Sequence, residues 1–302
     1  MKFMNFSRKN APISPRLGCI LGDSCFDITK AIGDDLLKFP RVVFTIEEAL
    51  QVRDGLQLLE EQLGGLKRSS SGIQGYLFAP SDATLLAPVS HPQKVIGIGL
   101  NYRDHIEETK IEAPKRPLLF AMYANAIIGP EQSIIIPPMS QQVDFEAELA
   151  VIIGRRARQI SVESAVDYVA GYTIFNDVSA RDLQFSDGQW LRAKSFDTFA
   201  PMGPYLVTPS ALKDGDGLAI ELRLNAATMQ KSNTRHLIFN VPDLVSYISK
   251  VMTLEAGDVI ATGTPAGVGF TRNPQVFMKP GDVVEIEIEG IGILRNPVAE
   301  FD

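Results

Sequence analysis

The stretch Val143-Asp144-Phe145-Glu146-Ala147-Glu148-Leu149-Ala150-Val151-Ile152-Ile153-Gly154 decides both the fold and the chemistry of this chain. Side chains of a strand alternate between faces, so the spacing places Asp144, Glu146 and Glu148 on one side of an extended segment. The acids run straight into Leu149 to Ile153, apolar at every position, as in a strand covered on both faces. Carboxylates at the end of such a strand need a compensating cation. Without Cys or His beside them they suit a hard divalent ion, Mg²⁺ or Mn²⁺, with Ca²⁺ as an alternative. The competing reading is an ion-pair network with Arg155, Arg156 or Arg181. A second acidic run, Glu285, Glu287 and Glu289, has the same spacing but alternates with Val284, Ile286 and Ile288. It reads as a half-exposed antiparallel strand whose acids face water.

Outward from the first run, the apolar segment Tyr172-Thr173-Ile174-Phe175 ends in Asn176-Asp177, which places Asp177 at a strand end as a third acid from a separate segment. Arg181 and Gln184 follow at helical spacing and would share its face. Upstream, Gly97-Ile98-Gly99 after a strand invites a dinucleotide reading, but Tyr102 stands where the third glycine belongs. His105 and Glu108 are three apart, so a short helix makes them neighbours, and a carboxylate beside an imidazole orients it for taking a proton. An ordinary surface pair has the same spacing. Lys194, in Trp190 to Phe199, and the glycine-rich Thr262 to Gly269 complete the candidates. The latter lacks the ending of a phosphate loop and reads either as backbone donors facing a substrate or as a plain tight loop.

The remaining elements surround these. Arg16 to Ile28 carries a hairpin signal about Gly22-Asp23-Ser24. Ala49, Val52, Leu56, Leu59 and Leu63 form a helical stripe stopped by Gly64-Gly65. A polar linker at 67–75 and a strand pair within Tyr76 to Val89 follow, so the boundary of a small N-terminal domain is placed at 91, with a second domain over 92–302. There, strands are read at 95–99, 118–120, 143–153 and 172–175 and in the tail, with helices at 162–169 and from Val241 to Leu254. Strands outnumber helices without a regular alternation, which indicates a mixed α+β, mainly β fold.

The 302 residues are 45% hydrophobic and 22% charged, as in a folded protein, which excludes wholesale disorder. With 29 basic against 36 acidic residues the net charge is −7, so nucleic acid is not an expected partner. No apolar stretch reaches the ~18 residues of a membrane span. Cys19 and Cys25 are too few for a disulfide framework and read as reduced core thiols of a cytoplasmic protein. The acid-free first 22 residues keep a mitochondrial location as the alternative.

Taken in order, IGLNYRDHIEE, PLLF, NAIIGP, VDFEAELAVIIG, GYTIFNDVSARDLQ, KSFDTFAPMGP and LEAGDVIATGTPAGVG resemble the fumarylacetoacetate hydrolase family, over roughly residues 94–296. The resemblance implies a β-sandwich roll, commonly a homodimer, behind a small variable N-terminal domain. It implies that Glu146, Glu148 and Asp177 ligate Mg²⁺ or Mn²⁺, with Asp144 behind them. It further implies a water-activating His105–Glu108 dyad, with Arg181, Gln184, Lys194 and Thr264 contacting substrate. One departure stands out: many relatives carry Lys after the Leu-Phe of PLLF, where this chain has Ala121-Met122-Tyr123. The expected activity is metal-dependent hydrolysis of a carbon–carbon bond in a β-diketo acid such as an acylpyruvate. His105 would deprotonate the attacking water and Lys194 would stabilise the enolate released. Alternatives are an oxaloacetate-type decarboxylase, an isomerase or hydratase of unsaturated 2-oxo acids, and a non-catalytic metabolite-binding protein.

Overall fold

The computed structural model describes residues 1–9, 12–66 and 72–301. Its largest sheet has twelve strands. At its centre Ala147–Ile153 pairs antiparallel with Val169–Asn176, which pairs in turn with Ala200–Val207. On the other side Ala147–Ile153 pairs with Val259–Ala261, and that strand runs parallel to Val95–Gly99. Every residue of the two central strands is buried, as apolar side chains on both faces require. A five-stranded sheet containing Ala219–Leu224, Val283–Ile288 and Gly292–Glu300 packs against this centre, giving a sandwich. Its strands are buried on one face only: Val284, Ile286 and Ile288 point inward, while Glu285 and Glu287 meet Arg223 at the surface. The mainly β, mixed α+β expectation holds.

Residues 1–91 join the same sheet. Lys2–Arg8 pairs with Ala200–Val207, in register Lys2 to Val207 and Phe3 to Leu206, and one apolar core runs through both regions. The hairpin is present as Arg16–Leu21 and Ser24–Asp27, turning at Gly22 with φ +67°. Four expectations need correction. The helical stripe is two helices, Ile46–Leu50 and Gly55–Gly65, separated by Asp54 in the left-handed region. A Cβ on Gly55 would lie 2.2 Å from the Ala49 carbonyl, so the chain doubles back where one helix would have run on. The expected pair within 76–89 is Leu77–Phe78 and Ala83–Leu86, which pair with Ser24–Asp27 and Lys2–Arg8 instead of each other. The helix expected at 162–169 is a single 3₁₀ turn, Ala165–Tyr168, because Val169 already begins a central strand. Of the polar linker, residues 67–71 lie outside the described residues. The long helix covers Val241–Val251, capped by Asn240, whose side chain accepts from the Asp243 N–H, with Pro242 in its first turn.

The fourth correction shapes the site. The extended run from 143 is interrupted at Phe145-Glu146: Val143–Asp144 pairs with Ser179–Ala180, and only Ala147–Ile153 belongs to the large sheet. At the break the Glu146 N–H donates to the Asn176 side-chain oxygen, 3.0 Å, and the Asp177 N–H donates to the Glu146 carbonyl, 3.0 Å. A side chain thus takes the place of a ladder bond, and two strand ends bring Glu146 and Asp177 together.

Candidate metal centre and active site

Glu146, Glu148 and Asp177 meet at these ends. Each offers a carboxylate oxygen within 4.8 Å of the others, and all three are buried. Two cations reach the group. Lys194 Nζ donates to Asp177 at 2.6 Å, to Ser179 Oγ at 2.8 Å and to Glu146 at 3.1 Å, which uses its three protons. Arg181 contacts Glu146 Oε1 at 2.7 Å, donates from Nε to Asp144 at 2.9 Å and from Nη1 to Gln184 Oε1 at 2.8 Å. Both sequence readings of the acids therefore meet in one place: the trio and an ion-pair network with Arg181 are parts of a single cluster.

Its electrostatics are lopsided. Asp144, Glu146, Glu148 and Asp177 are four carboxylates against two cations, leaving two negative charges over when all are ionised. Burial works to raise the Glu146 pKa, but Lys194 and Arg181 outweigh it and hold the carboxyl at about 2. Burial, then the charges of Asp177 and Glu146, push Glu148 well above the carboxylate range. Burial raises Asp177 to about 7 against the pull of Lys194. Asp177 Oδ1 is buried and accepts no hydrogen bond among the described residues. An all-oxygen donor set, a spare buried oxygen and a surplus of two negative charges fit a divalent cation.

The glycine-rich segment serves this cluster through its backbone. Gly263 N–H donates to Glu148 at 2.8 Å, Gly267 N–H to Glu108 at 3.0 Å, and Gly269 N–H to Asp144 at 2.8 Å. Its donors thus face carboxylates of the protein, which neither sequence reading of this loop anticipated. At Gly267, φ is +100° and a Cβ would stand 2.2 Å from the Met229 carbonyl, so no side chain fits.

His105 and Glu108 lie on the short helix Arg103–Thr109, with Nδ1 and Oε2 3.4 Å apart. Burial works to raise the Glu108 pKa, but the hydrogen bonds from His105, Thr271 and the Gly267 backbone prevail and lower it. The helix is tethered at its start by Asp104, which accepts from Ser232 Oγ. His105 faces a cavity of about 100 Å³, also lined by the acid trio, Arg181, Gln184, Lys194 and Thr264. Eight of the nine candidate residues therefore line one cavity, and the ninth, Glu108, stands behind His105. Its remaining wall is apolar and includes Phe120 and Trp190, which pack edge to face at 5.4 Å. A Cβ on Gly97 would lie 2.1 Å from the Phe120 ring, and one on Gly99 2.5 Å from the Trp190 ring, so the Gly-x-Gly pair makes room for aromatic rings. Met122 is buried opposite Val95.

Several contributors escaped sequence reasoning. Asn176 bridges the strand break, Ser179 completes the shell of Lys194, and Gln230 ties Ala147 to Thr264. The position of Asn176 at the end of YTIF was the one available signal.

The fold and site define a protein whose acid cluster is built at the broken end of a central sandwich strand. The family model described as "Fumarylacetoacetate (FAA) hydrolase C-terminal" matches residues 94–299, and the chain belongs to that family. A mitochondrial oxaloacetate tautomerase of Xenopus laevis is 41% identical over 300 residues, covering 99% of this chain and 90% of that one. A mitochondrial oxaloacetate tautomerase of Rattus norvegicus is 45% identical over 246 residues, covering 80% and 79%. Among solved structures, a fumarylacetoacetate hydrolase from Exiguobacterium antarcticum superposes with a TM-score of 0.83 at 35% identity, each chain covered in full.

Proposed function

We propose that this chain interconverts the keto and enol forms of oxaloacetate or a closely similar short 2-oxo diacid. The observation that carries the reading is His105, held by Glu108, lining the same cavity as the acid trio. At about 100 Å³ the cavity is well below the ~300–1,000 Å³ of sites for larger ligands, which suits a compact acid. The names of the two vertebrate relatives support the substrate. Glu146, Glu148 and Asp177 would hold Mg²⁺ or Mn²⁺, and a cation bound there supplies Lewis-acid polarisation of the 2-oxo group. Glu108 holds the Nδ1 proton of His105, so the lone pair lies on Nε2. Nε2 takes a proton from C3, the C3–H pair forms the C2=C3 double bond, and the C2=O pair takes up the proton on oxygen. Glu108 stabilises the imidazolium formed in between. The apolar wall of Phe120 and Trp190 keeps water from that proton. Cys19 and Cys25, buried and unpaired, fit a reducing compartment, the cytosol or the mitochondrial location named for the two relatives.

Hydrolytic cleavage of an acylpyruvate is the second reading, favoured by the same dyad, which could equally deprotonate a water, and by the hydrolase among the structural relatives. The experiment follows the ultraviolet absorbance of enol-oxaloacetate with Mn²⁺, against Glu148→Ala protein at the same metal concentration. CO₂ is measured in parallel, as is acetate from acetylpyruvate. Accelerated interconversion by the unmodified protein, without CO₂, supports the tautomerase. No acceleration over the variant, with acetate released from acetylpyruvate, replaces it with the hydrolase.

A further inference from the structure

Gln230 lies on the strand Ala227–Asn233 of the smaller sheet, fully buried and outside the cavity lining. Its Oε1 accepts from the Ala147 N–H at 2.9 Å, and Ala147 sits between Glu146 and Glu148. Its Nε2 donates to Thr264 Oγ1 and to the Pro265 carbonyl, both at 2.8 Å. The partners fix which way the amide faces, because an N–H can meet only the oxygen and a carbonyl only the nitrogen. This constrains Thr264. With its oxygen already accepting from an amide nitrogen, the hydroxyl has its own proton left to give, and among the described residues no acceptor takes it. Thr264 lines the cavity.

We infer that Gln230 is a positioning residue that fixes the Thr264 hydroxyl as a hydrogen-bond donor to an anionic group in the cavity, while holding the Glu146–Glu148 segment and the glycine-rich loop in register. It deepens the proposed function and rests on that reading for the anionic character of the substrate. Polarity is the point of the device: a carboxylate at 230 would still accept from Ala147 N–H but would draw the Thr264 proton to itself, leaving an oxygen lone pair towards the substrate.

The test is a double-mutant cycle on binding of oxalate, a planar dianion shaped like the carboxylate and enolate end of a 2-oxo acid, to Mn²⁺-loaded protein, alongside titration with Mn²⁺ alone. Thr264→Val should weaken oxalate about tenfold or more, as expected for a lost hydrogen bond to a charged group. Gln230→Glu should weaken it comparably, yet by under about threefold more when added to Thr264→Val. Mn²⁺ affinity should stay within about threefold in Thr264→Val and should not weaken in Gln230→Glu, where the bond to Ala147 survives. Should Gln230→Glu fail to fold, Gln230→Met, which keeps the volume and removes both the amide donors and the acceptor for Ala147 N–H, runs through the same cycle on oxalate alone. Losses that simply multiply, or unchanged oxalate affinity in the Gln230 variants, overturn the inference. Oxaloacetate turnover is read separately: a coupled cycle in a protein without turnover upholds Gln230 and sinks the tautomerase, and turnover with an uncoupled cycle does the reverse.

Discussion

Loading the acid cluster with metal should be an exchange of one divalent ion for protons. Lys194 and Arg181 neutralise two of the four carboxylates, and the surplus appears as raised proton affinity, at about 7 for Asp177 and well above the ordinary range for Glu148. The protons belong to the cluster as a whole, because its members titrate together. Below pH 7 the metal-free protein should hold about two of them, and a bound cation expels both. Two protons released make apparent affinity rise about 100-fold per pH unit, ~2.7 kcal/mol at 1.36 kcal/mol per proton and unit. Above pH 7, where Asp177 is ionised, the slope should fall. The assay is calorimetric titration of chelator-stripped protein with Mn²⁺ between pH 5.5 and 8, in buffers of different ionisation enthalpy. Glu148→Gln should lower the proton count by about one. A pH-independent affinity with no proton release would refute the charge argument. The same shifts set the stability of the metal-free fold. Groups whose folded pKa is raised contribute stability that is complete below their ordinary values of 3.8 and 4.5 and lost as pH rises through the folded values. The Tm without metal should therefore fall from pH 5 to 8, and Mn²⁺ should remove that slope.

His105→Ala should lower turnover by ~100-fold or more, the usual range for a general base, with Mn²⁺ affinity within about threefold; undiminished turnover would take His105 out of the chemistry. Gly99→Ala forces a Cβ into the Trp190 ring and should cost about 1–3 kcal/mol in urea unfolding. Because Trp190 is the only tryptophan, its fluorescence should shift in the same variant, and an unchanged spectrum would contradict the packing. Arg181→Met leaves Asp144 without its buried cation and Glu146 with Lys194 alone, and should destabilise the metal-free protein by about 3–5 kcal/mol, measured by the same unfolding, with a smaller loss when Mn²⁺ is bound.

The parts of this site legible in sequence are those written in side-chain type and period. Alternation separated the buried strand after Glu148 from the half-exposed Val283–Ile288, and the three-residue step put His105 against Glu108. What could not be read depends on partners distant along the chain. The interruption at Phe145-Glu146 exists because the Asn176 side chain, thirty residues on, takes a ladder position. At the break before Gly55 the chain passes so close to the Ala49 carbonyl that only glycine fits, whereas helical periodicity continues across it. Gln230 occupies a strand whose neighbours Met229 and Lys231 are more exposed, so nothing in its surroundings marks it as buried. Backbone donors leave no side-chain signature at all, which is why the glycine-rich loop allowed two readings and matched neither.

The same loop explains how so many acids can share a small buried volume. Lys194 has spent its three protons on Glu146, Asp177 and Ser179, so it has no donor left for Glu148. Arg181 gives three of its five N–H donors to Asp144, Glu146 and Gln184. Glu148 and Glu108 receive backbone N–H donors from Gly263 and Gly267, which bring partial positive charge without the bulk of a side chain. Replacing those donors by further cations would cancel the surplus that draws in a divalent ion, and removing them would leave buried carboxylates unpaired. Glycine at these positions therefore keeps Glu148 hydrogen-bonded yet under-neutralised, the condition under which a proton can be exchanged for a metal. With Lys194 fully committed, an incoming anion is left to the other donors that line the cavity, the remaining Arg181 N–H groups, the Gln184 amide and the Thr264 hydroxyl among them. Recognition through the Gln184 and Thr264 donors depends on hydrogen-bond polarity, which is why a single amide outside the cavity wall, Gln230, is expected to matter to what binds inside it.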